Sequence, residues 1–437
     1  MNKMNRGQQS EVFDVVVVGG GAGGVSAAVA ASLAGARTLL VERYGFLGGA
    51  ATTAQVLAYC GFYTSGPAPY AVTGGVGSLV LKELERLGFP SCPKASNLTG
   101  RWIVPLDGEA VKHALDNVVK AANVELCLHS QLIDATVKGN HLESIMLADH
   151  TGTREIHATS FIDASGNAGL SFFSGRKATI SPAEEGRLVQ AASYPLRIGG
   201  VAPDLRIDMD IMKEAIVSEG LHIKIPPTRA NAGFIGALPG SRDIWWLAIN
   251  LSCDGLSSNS LTGAELQGRK AAWQNIRFLR QHIAGFENAY LVTTGPELGI
   301  RESRRGLARS TVTQNDVLSG RKREDKVACG GWPIEIHSAE EAEFHDIGGQ
   351  GWFDIPYDAT RSSALDNLWL AGRIIGCDAV AYGALRVMGT AFATGQAAGV
   401  AAASFVQTGG RMDIDAVQDE LLRQGAILEP QPAEIRG

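Results

Sequence analysis

The most constraining feature of this sequence is a strand that runs directly into a glycine-rich turn. Residues 13–18 are almost entirely apolar, residues 19–24 read GGGAGG, and a helix of small residues follows. In this G-x-G-x-x-G pattern Gly19 permits a tight turn, Gly21 lets the backbone approach a pyrophosphate, and Gly24 lets the helix pack closely on the strand. The N–H groups at the helix N-terminus would bind phosphate. The pattern predicts a dinucleotide-binding βαβ unit, with a glycine-rich turn in an ordinary βαβ unit as the alternative.

A second strand, at residues 38–41, ends at an acidic residue, Glu42. Glu42 follows Gly24 by 18 residues, which is close to the spacing at which an acidic side chain accepts hydrogen bonds from a ribose 2′-OH. The combination of the strand, the glycines, the helix and the acidic residue favours dinucleotide binding over a glycine-rich turn in an ordinary βαβ unit.

Length and charge narrow the class of function. With 437 residues, of which 45% are hydrophobic, the chain can form two substantial cores or one large sheet domain with an attached layer. The net charge of −6 argues against a broad nucleic-acid or anionic-membrane surface, because such surfaces need clustered lysine and arginine. We therefore expect a small-molecule substrate, no nucleic acid and no membrane.

Cysteine usage and the first residues indicate the compartment. The six cysteines form no C-x-x-C pair and no histidine lies at zinc-finger spacing, so we expect neither a disulfide framework nor a metal site. The polar residues 1–11 lead straight into the first strand without a hydrophobic signal segment, and we predict a cytoplasmic location. Residues 387–406 carry no charge and could cross a bilayer, but they are mostly small, and we interpret them as a helix buried against a sheet.

The pattern downstream of Glu42 indicates an interrupted nucleotide-binding domain. Strand periodicity between residues 124 and 162 predicts a β-meander that returns to the main sheet and ends at a second strand-to-glycine junction around Gly166. A short strand at residues 367–373 and the buried helix return the chain to the first domain. We predict a first nucleotide-binding part at 12–180, a substrate or cap domain at 181–354, a second nucleotide-binding part at 355–410, and a C-terminal helix and tail at 411–437.

Local signals predict how several elements begin and end. Asp107 is the predicted N-cap of one helix, and Thr262 with Glu265 predicts a capping box for a longer one. Five apolar residues at helical spacing are assigned to the core face of that longer helix, namely Leu266, Trp273, Ile276, Leu279 and Ile283. The tail beyond Gly425 contains two prolines and is expected to be poorly ordered.

Five stretches carry a resemblance to a known family. They are VERYGFLGG at 41–49, GIRESRR at 299–305, PIEIH at 333–337, LRVM at 385–388 and GQAAG at 395–399. The outer segments resemble the FAD-binding domain of the glutathione-reductase-like flavoproteins. The whole chain resembles the FAD-dependent oxidoreductase family, whose substrates are largely unassigned. The resemblance implies an α/β fold with a Rossmann-like FAD-binding domain and an inserted α+β substrate domain.

The resemblance also implies where FAD binds, without a covalent link. Its pyrophosphate would lie at residues 19–24 and its adenosine ribose at Glu42. Its flavin would lie beside Gly48 and Gly372, and the helix that begins near Gly389 would point at it. The alternative for the last two glycines is that they only permit close packing. The cofactor-binding residues implied are Gly19, Gly21, Ala22, Gly23, Gly24, Glu42, Arg43, Gly48, Gly49, Ala50, Gly166, Gly372, Arg373, Arg386 and Gly389.

A flavoenzyme also needs side chains that orient the substrate and manage a proton. Arg301 and Arg305 lie in an arginine-rich stretch, and we expect one of them to bind an acidic group of the substrate. Ion pairing with Glu297 or Glu302 is the alternative. His337 is the leading acid–base candidate, and a hydrogen-bonded structural histidine is the competing interpretation.

The sequence departs from the family around Tyr382. Many relatives place histidines just before a Gly-Ser-Leu-Arg-Val motif, whereas this chain has Ala379 and Tyr382. The role of those histidines is therefore absent here or has passed to Tyr382 or His337. Tyr382 could bind substrate or pack against the flavin, and Arg386 could serve the flavin or a substrate carboxylate.

These features predict an FAD-dependent oxidase or dehydrogenase. It would oxidise a small, carboxylate-bearing substrate by hydride transfer to flavin N5, with O2 or an electron carrier as acceptor. A pyridine-nucleotide disulfide reductase would show a second G-x-G-x-x-G and a C-x-x-C, which the sequence lacks. The open alternatives are a flavin-dependent reductase or monooxygenase, a non-catalytic flavin-binding or RNA-associated protein, and an NAD-binding dehydrogenase.

Overall fold

The structure, a computed structural model, describes residues 11–96, 100–175, 177–223, 229, 231–338, 342–433 and 435. Its α-helices are α1 (Ala22–Leu33), α2 (Ala50–Thr53), α3 (Gly75–Arg86), α4 (Gly108–Ala121), α5 (Gly169–Phe173), α6 (Met209–Ile223), α7 (Ser258–His282), α8 (Gln314–Ser319), α9 (Tyr382–Leu385), α10 (Met388–Gln407) and α11 (Ile414–Arg423). Two 3₁₀ helices span Tyr357–Thr360 and Gly372–Ile374.

The strands are β1 (Glu11–Val18), β2 (Thr38–Val41), β3 (Ala58–Tyr59), β4 (Tyr70–Ala71), β5 (Lys94–Ala95), β6 (Trp102–Pro105), β7 (Glu125–Cys127), β8 (Gln131–Lys138), β9 (His141–Asp149), β10 (Gly152–Asp163), β11 (Thr179–Ile180), β12 (Ala192–Ser193), β13 (Leu196–Gly199), β14 (Phe234–Ala237), β15 (Ile244–Leu247), β16 (Asn250–Leu251), β17 (Tyr290–Thr293), β18 (Arg305–Gly306), β19 (Lys326–Gly330), β20 (Ile334–His337), β21 (Ala342–His345), β22 (Phe353–Pro356), β23 (Leu368–Leu370) and β24 (Gln431–Pro432).

The largest sheet is a mixed one with a parallel half. Its strand order is β7-β2-β1-β10-β9-β8, and β23 extends it by pairing with the end of β10. All pairs among β7, β2, β1, β10 and β23 are parallel, whereas β8, β9 and β10 are antiparallel neighbours. The predicted meander is thus confirmed for its last three strands, but its first strand, β7, lies at the opposite edge of the sheet beside β2. Since carboxyl ends of parallel strands meet at one edge, the turns that follow β1, β2, β10 and β23 lie close together.

Small residues let α10 pack directly on α1. A Cβ on Gly395 would overlap the backbone of Gly23, and a Cβ on Gly399 would overlap the backbone of Ala27. Such close contact requires glycine at both positions of α10. The prediction that residues 387–406 form a buried helix is therefore confirmed. Among the helices described, none is long and apolar enough to cross a membrane.

The middle of the chain has a core of its own. The antiparallel sheet β14-β15-β13-β17 packs with α6 and α7, and large buried side chains such as Trp246 and Phe278 fill the space between them. A further core joins residues 312–355 to residues 359–385. The predicted segment boundaries, at 181 and 354 among others, remain predictions.

Helix caps agree with the sequence at one position and differ at another. Asp107 caps α4 as predicted, because its Oδ1 accepts hydrogen bonds from two N–H groups of the first turn, both at 3.0 Å. The predicted capping box of the long helix is wrong. Ser257 caps α7, so that Thr262 lies inside the helix, and Glu265 instead accepts a hydrogen bond from the Leu298 N–H (2.7 Å).

The buried face of α7 also differs from the prediction for two residues. Ile276, Leu279 and Ile283 are buried as expected, but Leu266 and Trp273 are 61% and 57% exposed. The reason is that the helix packs through its small residues. A Cβ on Gly268 would overlap the ring of Tyr194, so this side, rather than the side of Leu266, faces the core.

The tail beyond Gly425 is packed, which corrects the expectation of poor order. Leu428 is buried, Glu429 forms an ion pair with Lys326, and β24 pairs with β4. Pairing with β4, the ion pair with Lys326 of β19 and the buried Leu428 therefore hold the described part of the tail in place.

Candidate functional site

A cleft of about 440 Å³ opens at the carboxyl ends of the parallel strands. The chain turns there from β1 into α1, and Gly19 adopts a φ of +105° against Ala164. Gly24 packs so closely on the turn that a Cβ would overlap the carbonyl oxygen of Gly19. A Cβ on Gly21 would meet no described atom closer than 3.7 Å, and Gly21 lines the cleft. Gly19 and Gly24 thus allow the tight turn, while Gly21 faces the cleft.

Glu42, at the end of β2, forms part of the cleft wall. Only 8% of its surface is exposed, and its carboxylate oxygens accept hydrogen bonds from the N–H groups of Gly20 (2.6 Å) and Tyr44 (3.0 Å). These bonds fix the carboxylate beside the glycine turn. The structure therefore places Glu42 beside the glycine-rich turn, as their spacing in the sequence predicted.

Most of the residues predicted to bind the cofactor line this cleft. They are Gly19, Gly21, Ala22, Gly23, Glu42, Arg43, Gly48, Gly49, Ala50, Gly166, Gly372, Arg373 and Arg386. Within the described residues, Gly24 and Gly389 do not reach the cleft. Gly389 lies against Gly61, where a Cβ would overlap the backbone, and its N–H donates to the carbonyl of Cys60 (2.8 Å). Close packing thus accounts for both glycines.

The middle segment supplies the opposite wall of the cleft. Glu297 forms an ion pair with Arg43 (3.0 Å). The Arg373 guanidinium donates to the carbonyl oxygens of Gly166 (2.6 Å) and Ile300 (2.8 Å). Polar contacts therefore tie the two walls together at two points.

A second cavity, of about 380 Å³, adjoins the cleft. The two spaces share six lining residues, namely Ala50, Gly299, Ile300, Arg373, Arg386 and Met388. Its walls are largely apolar and include Val56, Ile103, Phe234, Trp245, Leu247, Trp332 and Phe344. A molecule bound in the second cavity would therefore lie next to a ligand that fills the cleft.

Arg301 lies in the wall of the second cavity and is held there by two acceptors. Its guanidinium donates to the carbonyl oxygen of Ala191 (2.5 Å) and to the side-chain oxygen of Asn250 (3.2 Å). Burial, together with the charges of Arg386 and Arg229, lowers the pKa of Arg301 well below its usual value. Neither acceptor carries a charge, so the positive charge of Arg301 is not neutralised by them.

The second cavity has an excess of positive charge. Glu335 is the one acidic side chain among its described lining residues, whereas five lining side chains are basic, namely Lys213, Arg229, Arg301, Arg373 and Arg386. Arg229 donates to the carbonyl oxygen of Leu247 (2.5 Å), and burial lowers its pKa. Buried charges of one sign are unfavourable unless they are paired. The cavity is therefore suited to an anion.

Glu335 and His337 are two positions apart on β20, so their side chains point to the same side of the strand. His337 Nε2 lies 2.8 Å from Glu335 Oε1, and Trp332 Nε1 donates to Glu335 Oε2 (2.9 Å). Arg386 lies 3.4 Å from the same carboxylate. Burial alone would raise the pKa of Glu335, but the hydrogen bond from His337 and the charge of Arg386 hold it well below its usual range.

These contacts decide which nitrogen of His337 carries the proton. Burial and the charge of Arg301 lower the pKa of His337 to about 3, so the ring is neutral near pH 7. The ionised Glu335 can only accept, which places the hydrogen on Nε2 and leaves Nδ1 as an acceptor. Nδ1 is buried and has no hydrogen-bond partner among the described residues. His337 therefore keeps a free proton acceptor in the wall of the second cavity.

Two predicted catalytic residues lie away from the described walls of the cleft and of the second cavity. Arg305 is 2% exposed and forms ion pairs with Glu185 and, at 3.7 Å, with Glu302. Tyr382 is fully buried, and its hydroxyl donates to the carbonyl oxygen of Arg301 (2.8 Å). Arg305 is therefore engaged in ion pairs, which was the alternative considered for the arginines. Tyr382 holds the backbone at Arg301 through its hydrogen bond.

Arg229, Glu335 and the aromatic walls of the second cavity are not among the residues predicted from the sequence. A signal for Glu335 was present, because a residue two positions before His337 on a strand shares its face. Arg229 gave no signal, since nothing in the neighbouring sequence marks it and only tertiary packing brings it to the cavity.

The lowered pKa of His337 predicts a stability that falls in mild acid. Between its ordinary value of 6.5 and about 3, the unfolded chain binds a proton that the folded chain does not. Stability should therefore decrease as the pH is lowered below about 6.5, by up to about 1.4 kcal/mol per pH unit for this group. In His337→Gln the midpoint of urea unfolding should depend less steeply on pH between about pH 7 and pH 5.

The matched control is His150→Gln, at an exposed position in the β9–β10 turn. It should keep the pH dependence of the unmodified protein. Equal pH dependence for His337→Gln and the unmodified protein would contradict a neutral, buried His337.

Comparison with known proteins agrees with this geometry. The sequence profile described as FAD dependent oxidoreductase matches residues 14–421. No curated protein matches the chain. Solved structures similar to this chain include a geranylgeranyl bacteriochlorophyll reductase-like protein from Thermoplasma acidophilum, which is 14% identical over 95% of this chain and 83% of its own, with a TM-score of 0.48.

Two further solved structures are similar to this chain. The p-nitrophenol 4-monooxygenase of Pseudomonas putida is 11% identical over 95% of this chain and 85% of its own (TM-score 0.46). A myxobacterial chondrochloren halogenase is 15% identical over 95% of this chain and 79% of its own (TM-score 0.44). The family match covers nearly the whole chain, including both walls of the cleft. The protein belongs to the FAD-dependent oxidoreductase family, and FAD is its cofactor.

Proposed function

We propose that this oxidoreductase oxidises a small, carboxylate-bearing molecule by hydride transfer to flavin N5, on a fold of the glutathione-reductase-like type. The observation that carries the proposal is the positive charge of the second cavity. Arg229, Arg301 and Arg386 face one carboxylate, Glu335, in a space that adjoins the cleft. A substrate carboxylate would neutralise the excess charge and accept hydrogen bonds in the planar geometry that guanidinium favours.

The cleft residues fit FAD. Gly21 leaves the α1 N-terminus open to a phosphate, because a Cβ there would meet nothing within 3.7 Å among the described atoms, and Glu42 is held at the cleft wall beside the turn. When bound, FAD supplies the two-electron acceptor. Residues 48–50 and Arg373 would hold the part of FAD that lies nearest the second cavity, since Ala50 and Arg373 line both spaces.

The protein contributes position, charge and a proton acceptor. Arg301 is fixed by its bonds to Ala191 and Asn250, so its remaining donors are oriented before the substrate arrives. The apolar walls exclude water, which strengthens the attraction between arginine and carboxylate. A bound carboxylate would offset the charge of Arg301, which together with burial lowers the pKa of His337. His337 Nδ1 could then accept a proton that the substrate releases on oxidation, and Glu335 would stabilise the imidazolium that results.

Anaerobic reduction of the purified holoenzyme tests the proposal. Small carboxylic acids with an oxidisable C–H bond should bleach the FAD absorbance, and the primary amides of the same acids should need concentrations at least about tenfold higher. Amides as effective as acids would refute a carboxylate site. Rapid bleaching by NADH or NADPH together with inert carboxylic acids would favour the reductase or monooxygenase alternative instead.

Other predictions remain proposals. We propose O2 or an electron carrier as the second acceptor. A cytoplasmic location is supported by six free cysteines, as expected in a reducing compartment.

A further inference from the structure

The second cavity contains several polar atoms that lack partners. In the described part of the chain, Arg229 Nε, Trp245 Nε1, Arg386 Nε and His337 Nδ1 are buried without a hydrogen bond, and all four residues line this cavity. Buried polar atoms in folded proteins are nearly always paired, since an unpaired one is costly. Four of them around one space indicate that a ligand supplies the missing partners.

The four atoms specify the chemistry of that ligand. Three are N–H groups, which require acceptor oxygens. The fourth, His337 Nδ1, is an acceptor because Nε2 carries the hydrogen toward Glu335. The ligand must therefore present an anionic group of oxygens to the arginines and one hydrogen-bond donor to His337. A plain carboxylic acid satisfies the first requirement and fails the second.

The walls specify the rest of the ligand. Phe234 and Trp245 pack with ring centroids 5.1 Å apart on one part of the lining. Phe344 and Trp332 contribute to the lining as well, and the Arg101 guanidinium lies 4.0 Å from the centroid of the Phe344 ring. Such a surface binds an apolar or aromatic body through buried area and ring contacts. A small, wholly polar acid would leave it in contact with water.

We propose that the substrate is a hydroxy acid with an apolar body, whose carboxylate binds Arg229, Arg301 and Arg386 and whose hydroxyl donates to His337 Nδ1. This inference rests on the proposed function and names its substrate class. An amino acid would also offer a donor, but its ammonium group would be repelled by the three arginines. The hydroxyl is neutral and avoids this repulsion.

The corresponding reaction is balanced with FAD as the oxidant. The C–H bond of the carbinol carbon breaks, and its electron pair leaves as a hydride to FAD. The O–H bond breaks, and its proton moves to His337 Nδ1. The carbon–oxygen double bond forms, and a keto acid is released. Glu335 stabilises the positive charge on His337 until the proton is lost to solvent.

Calorimetry of the holoenzyme can separate the hydroxyl from the carboxylate. Racemic 2-hydroxy-2-phenylpropanoate keeps the hydroxyl and lacks a C–H bond to oxidise, so that binding is measured without turnover. It should bind at least about tenfold more tightly than 2-phenylpropanoate, which lacks the hydroxyl, and than 2-hydroxy-2-methylpropanoate, which lacks the ring. In a parallel anaerobic assay, mandelate should bleach FAD and 2-phenylglycine should not.

A variant assigns the effect to His337. In His337→Phe, which keeps a ring and removes the acceptor, 2-hydroxy-2-phenylpropanoate should lose its advantage while 2-phenylpropanoate binds within about twofold of its original affinity. FAD content and the unfolding midpoint report whether the variant has folded, and a variant that does not fold is replaced by His337→Leu. A purely structural histidine would affect both acids alike.

The outcomes distinguish the inference from the proposed function. Equal binding of the acids with and without the hydroxyl, or an advantage that survives in His337→Phe, overturns the inference. If both acids still bind more tightly than their amides, the carboxylate site stands. If the amides bind as tightly as the acids, the proposed function falls as well.

Discussion

Replacing Gly24 by alanine is expected to abolish FAD retention and to destabilise the protein by about 3 kcal/mol or more. A Cβ at this position would overlap the carbonyl oxygen of Gly19 and would also press on Ala164, and the obstacle is largely backbone that cannot rotate away. The substitution would push α1 off β1 and move Gly21 away from the phosphate position. The ratio of FAD to protein in the visible spectrum and the thermal unfolding midpoint measure the two effects.

The same substitution has a matched control elsewhere. Gly263 lies in α7, is exposed, and a Cβ there would meet no described atom within 4 Å. Gly263→Ala should therefore keep FAD and gain about 0.5–1 kcal/mol of stability, because alanine loses less backbone entropy in a helix. A Gly24→Ala protein that retains FAD as well as Gly263→Ala does would show that the close approach at Gly19 is not required.

Replacing Arg301 by methionine is expected to lower kcat/KM for a carboxylate substrate by about 10²–10³-fold. Methionine keeps much of the apolar stem and removes the charge that Ala191 and Asn250 hold in place. The substrate carboxylate would then lose a desolvated partner, a loss of about 2–5 kcal/mol in comparable sites. Steady-state kinetics with a substrate that bleaches the flavin should show a raised KM.

The control for this variant is another arginine of the same stretch. Arg309 forms an ion pair with Asp366 (3.0 Å) and is absent from the described linings of the cleft and the second cavity. Arg309→Met should leave kcat/KM within about twofold, because an exposed ion pair contributes little. An Arg301→Met enzyme with full FAD content and an unchanged KM would remove Arg301 from the substrate site.

The two halves of the site differ in how much of each could be predicted. One wall of the cleft is built from residues close in sequence, since Gly19, Gly21 and Glu42 belong to one βαβ unit and Gly48 follows directly. The local backbone conformation of such a unit requires particular residue types at fixed positions, and these can be recognised in the sequence. The second cavity instead gathers Arg229, Arg301, His337 and Arg386 from separate segments.

The sequence alone determined the α/β class, most of the meander and the buried helix α10, because these depend on short-range periodicity. Its five family motifs carried the resemblance to the FAD-dependent oxidoreductases. Tertiary structure decided which charged groups meet. It paired Arg305 with Glu185 and left Arg301 at the cavity with uncharged partners. Ion pairing and pKa values depend on distance and burial across the whole fold, and neither is encoded in the residues next to a charge.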